Sequence, residues 1–134
     1  MTSGYSGRPL HRKLGLEPGM TVAWVGTGPD LDALLGPLEG VTVRRALRAP
    51  LDLVLCFVTE RRALARRANS LRRAIAPAGA VWVCWPKRAS KIATDVTEDV
   101  VREVLLPTGL VDVKVAAVDE VWSGLKLVVR RELR

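Results

Sequence analysis

The chain has 134 residues, 49% hydrophobic and 26% charged, a size and composition suited to one globular domain and not to a disordered or fibrous chain. Its 21 lysines and arginines against 14 acidic residues leave a net charge of +7, which permits contact with nucleic acid without establishing it. The N-terminal MTSGYSGRPLHRKLG lacks the apolar segment of a signal peptide, and no apolar run approaches the ~20 residues that span a bilayer, so a cytoplasmic protein without a membrane partner is expected.

The small, polar stretch Met1 to Gly7 reads as part of an N-terminal arm over residues 1–13, ahead of a single domain over residues 14–134. Pro9 to Leu14 can form a short helix, and LEPGM is a turn. Thr21 to Val25 is a first strand. Asp30 is placed to cap a helix of two turns at most, which Gly36 and Pro37 end. Val41 to Arg45 is a short second strand, and Leu53 to Val58 is an apolar run of the kind buried on both faces of a parallel sheet. Only about six residues, Leu47 to Asp52, join these two strands, half of what a parallel crossover usually needs. Either the second strand is short and the link is taut, or that edge is built differently.

The segment ERRALARRANSLRRAIA is the clearest helix, with Leu64, Ala68, Leu71 and Ile75 in one stripe. Arg62, Arg66 and Arg73 fall opposite that stripe, and Arg61, Arg67 and Arg72 flank it. PAGA breaks the helix before an apolar strand, Ala80 to Trp85. Pro86 to Thr97 is a polar loop. Thr97 caps a further helix whose apolar face is Val100, Val101, Val104 and Leu105, and Pro107 to Gly109 stops it. Val111 to Val118 and Leu125 to Arg130 are two final, antiparallel strands. Alternating strands and helices predict a three-layer α/β Rossmann-like sandwich, its sheet mostly parallel, with a C-terminal antiparallel strand pair.

Three stretches resemble the fold of S-adenosylmethionine-dependent methyltransferases: LEPGMTVAWVGTG at the first strand and glycine loop, LRRAIAPAGAVWV at the helix, turn and fifth strand of that fold, and GLVDVKVAAVDEVWSGLKLVVRR at its terminal hairpin. The chain is also similar to a bacterial family known as domain of unknown function 3052. The residues that carry this are Gly-Tyr-Ser-Gly-x-Pro (Gly4 to Pro9), Trp-Pro-Lys (Trp85 to Lys87) and Trp-Ser-Gly (Trp122 to Gly124). That family implies a fold and no established activity.

Gly26 and Gly28 form the loop where the methyltransferase resemblance implies a cofactor, but the loop reads as degenerate. The acidic residue of that pattern is replaced by Trp24. The carboxylate that would end the second strand is replaced by Arg44, Arg45 and Arg48, and the adenine-framing segment has no room. A dinucleotide motif would need glycine where Leu31 stands, and Asp30 and Asp32 would repel a pyrophosphate. The remaining reading is that the two glycines simply permit a tight strand-to-helix turn.

Ligands of open α/β sheets sit at the carboxyl ends of the strands. There the sequence offers Lys87, Ser90, Lys91, Thr94 and Asp95 on one loop and Trp122 and Ser123 on another, donors suited to a phosphate or carboxylate. Arg88 shares the first loop, and Trp85 is a second ring for a flat wall. Asp119 and Glu120 are either an acid/base pair or a turn. Cys56 and Cys84 read as buried thiols. With His11 the only histidine, neither a metal site nor a histidine-based triad is expected. The expected function is a non-catalytic binding domain on a degenerate methyltransferase-like fold. Its ligand is a small anionic molecule or a protein partner, and no cofactor is expected. A divergent S-adenosylmethionine-dependent methyltransferase and an arginine-mediated nucleic-acid binder are the alternatives.

Overall fold

A computed structural model describes residues 9–134; the polar stretch Met1 to Gly7 and all of the Gly4-to-Pro9 motif except Pro9 lie outside the described residues. In chain order the elements are α1 (Leu10–Leu14), β1 (Thr21–Gly26), α2 (Leu31–Leu35), β2 (Thr42–Arg44), β3 (Leu51–Phe57), α3 (Arg61–Ala74), β4 (Ile75–Pro86), α4 (Glu98–Leu105), β5 (Leu110–Ala117) and β6 (Trp122–Val129). The apolar runs become the sheet because they can bury both faces: every residue of β3 except Asp52 is buried. The six strands run in the order β2-β1-β3-β4-β6-β5. β2, β1, β3 and β4 are mutually parallel, and β6 joins β4 and β5 antiparallel.

Alternate side chains of the strands divide between two cores. On one face Val54, Cys56, Val81 and Val83 pack with Leu64 and Leu71 of α3 and with Val101 and Leu105 of α4. On the other, Val22, Trp24, Leu55 and Trp82 pack with Leu14 of α1 and Leu31 of α2. The buried Trp82 indole donates to the carbonyl of Leu14 at 2.9 Å, which joins α1 to the sheet and leaves no orphaned N–H there. Cap chemistry matches the residues: Asp30 accepts from the N–H of Ala33 and Thr97 from that of Val100. α4 is then tied to β5 by Arg102, which bonds Glu98, Asp99 and Asp112.

The short link between the second and third strands has a simple geometry. β2 is three residues long and pairs only with Thr21 to Ala23. The return path of residues 45–50 therefore has to run back only about 10 Å along the strand direction while crossing β1, within the ~20 Å that six extended residues can reach. Its Leu47 packs against the α3 face of the core. One consequence is that, among the described residues, the outer side of Trp24, Val25 and Gly26 has no strand beside it. A second departure from the sequence expectation lies at Ile75. It is buried as its place in the helical stripe requires, but α3 ends at Ala74 and Ile75 opens β4, paired with Leu51. Pro77 disfavours helix at the residue before it, and β-branched Ile75 suits the sheet. The register resumes at Leu53 with Ala80, so residues 76–79 bulge between the two pairings.

Candidate ligand-binding cleft

The C-terminal ends of β1 and β3 carry two adjoining hollows. The first, about 550 Å³, lies where β1 lacks its outer neighbour; Gly26 to Pro29, Asp30, Asp32, Arg45, Phe57 and Arg67 are among its lining residues. The second, about 500 Å³, is more apolar and is bounded by Phe57, Val58, Ala63 and Trp122, with Thr59 and Glu60 at its edge. Both share the glycine loop, Phe57 and Arg67, so they form one cleft with a polar and an apolar lobe. The Phe57 and Trp122 rings meet edge to face at 5.2 Å and 89°, a geometry that fixes both aromatic walls.

The glycines are accounted for by packing. Gly26 has φ +90°, and a Cβ there would stand 2.0 Å from the carbonyl oxygen of Phe57. A Cβ on Gly28 would stand 2.4 Å from the Phe57 ring. The loop therefore lies directly on the end of β3, where only glycine fits. Trp24, in the position of the absent carboxylate, is buried beneath the first lobe. At the end of β2, Arg44 is exposed and Arg45 makes a loose, solvent-exposed pair with Asp32 at 3.9 Å, worth little in water.

Arg67 is the residue that sequence reasoning passed over. It was placed on the flank of the arginine helix, yet it reaches the wall common to both lobes. Its Nη1 is buried and has no hydrogen-bond partner among the described residues. The guanidinium lies near Cys56: burial pushes that thiol up to about 11, and Arg67 pulls it partly back. Cys84, fully buried, is pushed up as well, chiefly by burial. Helical periodicity could show that Arg67 was near the core edge, but not that the strand ends left space beside it.

The sequence-predicted donors converge, and mostly on one another. Lys87 Nζ donates to the carbonyl of Asp119 at 2.8 Å, and the Lys87 N–H to that of Val121 at 2.7 Å. Ser90 donates to the carbonyl of Lys87 at 2.7 Å. Thr94 donates to the carbonyl of Thr59 at 2.6 Å, and Asp95 accepts from the N–H of Arg61 at 2.6 Å. Asp95 thus caps α3, whose own N-cap residue Glu60 supplies no side-chain bond. Lys91 adopts a positive φ of 63° and is exposed. Asp119 accepts from the N–H groups of Val121 and Trp122, the arrangement of a turn. Of the predicted site residues Gly26, Gly28 and Trp122 line the cleft; Lys87, Ser90, Lys91, Thr94, Asp95 and Ser123 line neither lobe. Trp85 and Trp122 do not form one wall. Trp85 pairs with Ser123, so it faces the α3 core while Trp122 faces the α1 core.

Among the described residues no group of three or more His, Cys, Asp or Glu side chains is placed to hold a metal, and no helix is long and apolar enough to cross a membrane.

Several solved structures of similar architecture are methyltransferases. A SAM-dependent methyltransferase from Aquifex aeolicus superposes with a TM-score of 0.61 at 20% identity, over 90% of this chain and 88% of that one. This chain has a Rossmann-like fold similar to theirs. Magnesium protoporphyrin IX methyltransferase from Synechocystis, with bound SAM, gives a TM-score of 0.59 at 13% identity, over 90% and 74% of the two chains. The ribosomal protein L11 methylase of Lactobacillus delbrueckii subsp. bulgaricus gives 0.56 at 14%, over 91% and 76%. No protein-family model matches the chain, and no curated protein matches its sequence. The likeness to domain of unknown function 3052 therefore stays with its three short motifs.

Proposed function

We propose that this protein is a non-catalytic binding domain on a degenerate methyltransferase-like fold, and that its ligand is a small molecule with an anionic group seated against Arg67. The observation that carries the reading is the buried Nη1 of Arg67, without a hydrogen-bond partner among the described residues, at the junction of the two lobes. A buried donor without an acceptor costs about 1–3 kcal/mol, and a carboxylate or phosphate oxygen would satisfy it with a charge-assisted bond. Asp30 and Asp32 line the polar lobe, so the anion is best placed toward the apolar lobe, with the rest of the ligand between Phe57, Ala63 and Trp122. In this reading Lys87, Ser90, Thr94 and Asp95 hold the rim, with Lys91 and Ser123 beside them, and a cytoplasmic location completes it.

A divergent methyltransferase is the second reading, favoured by the position of the polar lobe at the glycine loop, at the carboxyl end of β1. It is disfavoured by Trp24 and by Arg44 and Arg45, which stand where the resemblance implies carboxylates for the cofactor. Calorimetric titration of S-adenosylmethionine, its demethylated product, nucleotides, phosphate and small aromatic carboxylates decides between them. The expected result is heat from an anion that disappears in Arg67→Gln, with none from S-adenosylmethionine. Saturable binding of S-adenosylmethionine would replace the proposal with the methyltransferase.

A further inference from the structure

Helix α3 holds six arginines and no acidic residue over Arg61–Ala74. Arg62, Arg66 and Arg73 are exposed, away from the buried Leu64, Ala68 and Leu71. Solvated helix faces ordinarily mix signs, because opposite charges at i, i+4 stabilise by about 0.2–0.5 kcal/mol and like charges destabilise by as much. Here Arg62 and Arg66 are a like-charged i, i+4 pair. No ion pair involves Arg62, Arg66 or Arg73 among the described residues. The carboxylates of neighbouring α4 are engaged elsewhere: Glu98 and Asp99 with Arg102, and Glu103 with Arg61. The helix is thus left self-repelling on its outer face.

A separate segment extends this charge. The turn Arg131–Leu133 docks at the end of α3, where both Leu133 and Arg72 adjoin Gly109. It is anchored by Arg134 Nε, which donates to the carbonyl of Val129 at 2.8 Å, and Arg130, Arg131 and Arg134 are exposed. From Arg62 to Arg73 the row measures about 16 Å at about 1.5 Å per residue. Every cation in it is arginine, whose planar fork matches phosphate oxygens. The large exposed apolar side chains are leucines, valines and an isoleucine, with no aromatic among the described residues. The described residues accordingly offer no exposed platform for stacking unpaired bases.

We infer that this arginine row is a docking surface for the phosphate backbone of double-stranded nucleic acid, bound without reading its sequence. It is independent of the Arg67 cleft, which it neither lines nor requires.

The test is fluorescence anisotropy with two unrelated duplexes of about 20 base pairs between about 50 and 200 mM salt, a range over which phosphate contacts weaken steeply. Both duplexes are expected to bind alike. The triple variant R62Q/R66Q/R73Q is expected to melt within a few degrees of the wild type. It should flatten the slope of log affinity against log salt by about 2.7, at about 0.9 per phosphate contact. A control, K114Q/K126Q, removes the cross-strand lysine pair on the opposite sheet face and should leave the slope unchanged. Absence of binding at the lowest salt, an unchanged slope in the arginine variant, or an equal loss in the lysine variant would each overturn the inference.

Discussion

Replacing Arg67 by methionine separates stability from binding. The side chain is half-buried, and its Nη1 finds no acceptor among the described residues. Methionine retains an apolar stem of similar reach and removes the orphaned donor. The cost of such a donor is about 1–3 kcal/mol, and because part of Arg67 still meets solvent, about 1 kcal/mol is the appropriate figure. In a chain of this length that corresponds to roughly 3–6 °C in melting midpoint. Arg67→Met is therefore expected to melt about 3–6 °C above the wild type in buffer free of phosphate and carboxylates. With an anionic ligand at a hundred times its Kd, the wild type gains about 2.7 kcal/mol and overtakes the variant, which gains nothing. Differential scanning calorimetry with and without the ligand measures both halves. A variant that melts below the wild type in ligand-free buffer would refute the reasoning, since the guanidinium would then be holding the native state together.

Asp95→Ala removes the carboxylate that accepts from the Arg61 N–H; a loss of about 1 kcal/mol, the usual worth of an N-cap, is expected in urea unfolding, and no loss would mean that solvent caps α3 equally well. Gly26→Ala forces a side chain onto a φ of +90° and against the Phe57 carbonyl. A fall of several kcal/mol is expected, as for other strained or overpacked sites, and a variant as stable as the wild type would show that the loop can move off β3. Cys56, raised by burial to about 11, should resist alkylation near pH 8 in the folded protein and react readily in denaturant. Its folded pKa is above the unfolded one, so its contribution to stability is intact below about pH 9 and is lost as pH rises toward 11. A midpoint in urea that stays constant across that window would contradict this sign.

Much of the fold was legible because the information was local. The apolar runs of β1, β3 and β4 declare buried strands, and Asp30 and Thr97 announce their helices by chemistry confined to three residues. Ile75 misled because it lies in phase with the helical stripe as well as at a sheet position; only pairing with Leu51 decides between them. The tight link after β2 was legible as a problem but not as a solution, since strand length depends on how far β1 offers a partner. The cleft was less legible still. Lysine, serine, threonine and aspartate on one loop look like ligand donors. In the folded chain Lys87, Ser90, Thr94 and Asp95 bind main-chain groups up to 35 residues away in sequence. Arg67, conversely, looked like one of many surface arginines until two strand ends opened a wall beside it.

The strand order has a consequence for biosynthesis. β6, last of the six in the chain, is an interior strand of the sheet, between β4 and β5. A nascent chain that has emerged only as far as β5 cannot assemble this sheet: the inner edge of β4, from Ala80 to Pro86, still waits for Val128 through Trp122. Leu125, Leu127 and Val129, all buried in the final core, are also missing. Until they arrive, the partly made protein presents an apolar, unpaired strand edge, the feature that invites aggregation and capture by chaperones. Completion of the hairpin is thus the event that turns a vulnerable intermediate into a finished domain, and a chain cut short before Trp122 should be recognised by the cell as refuse.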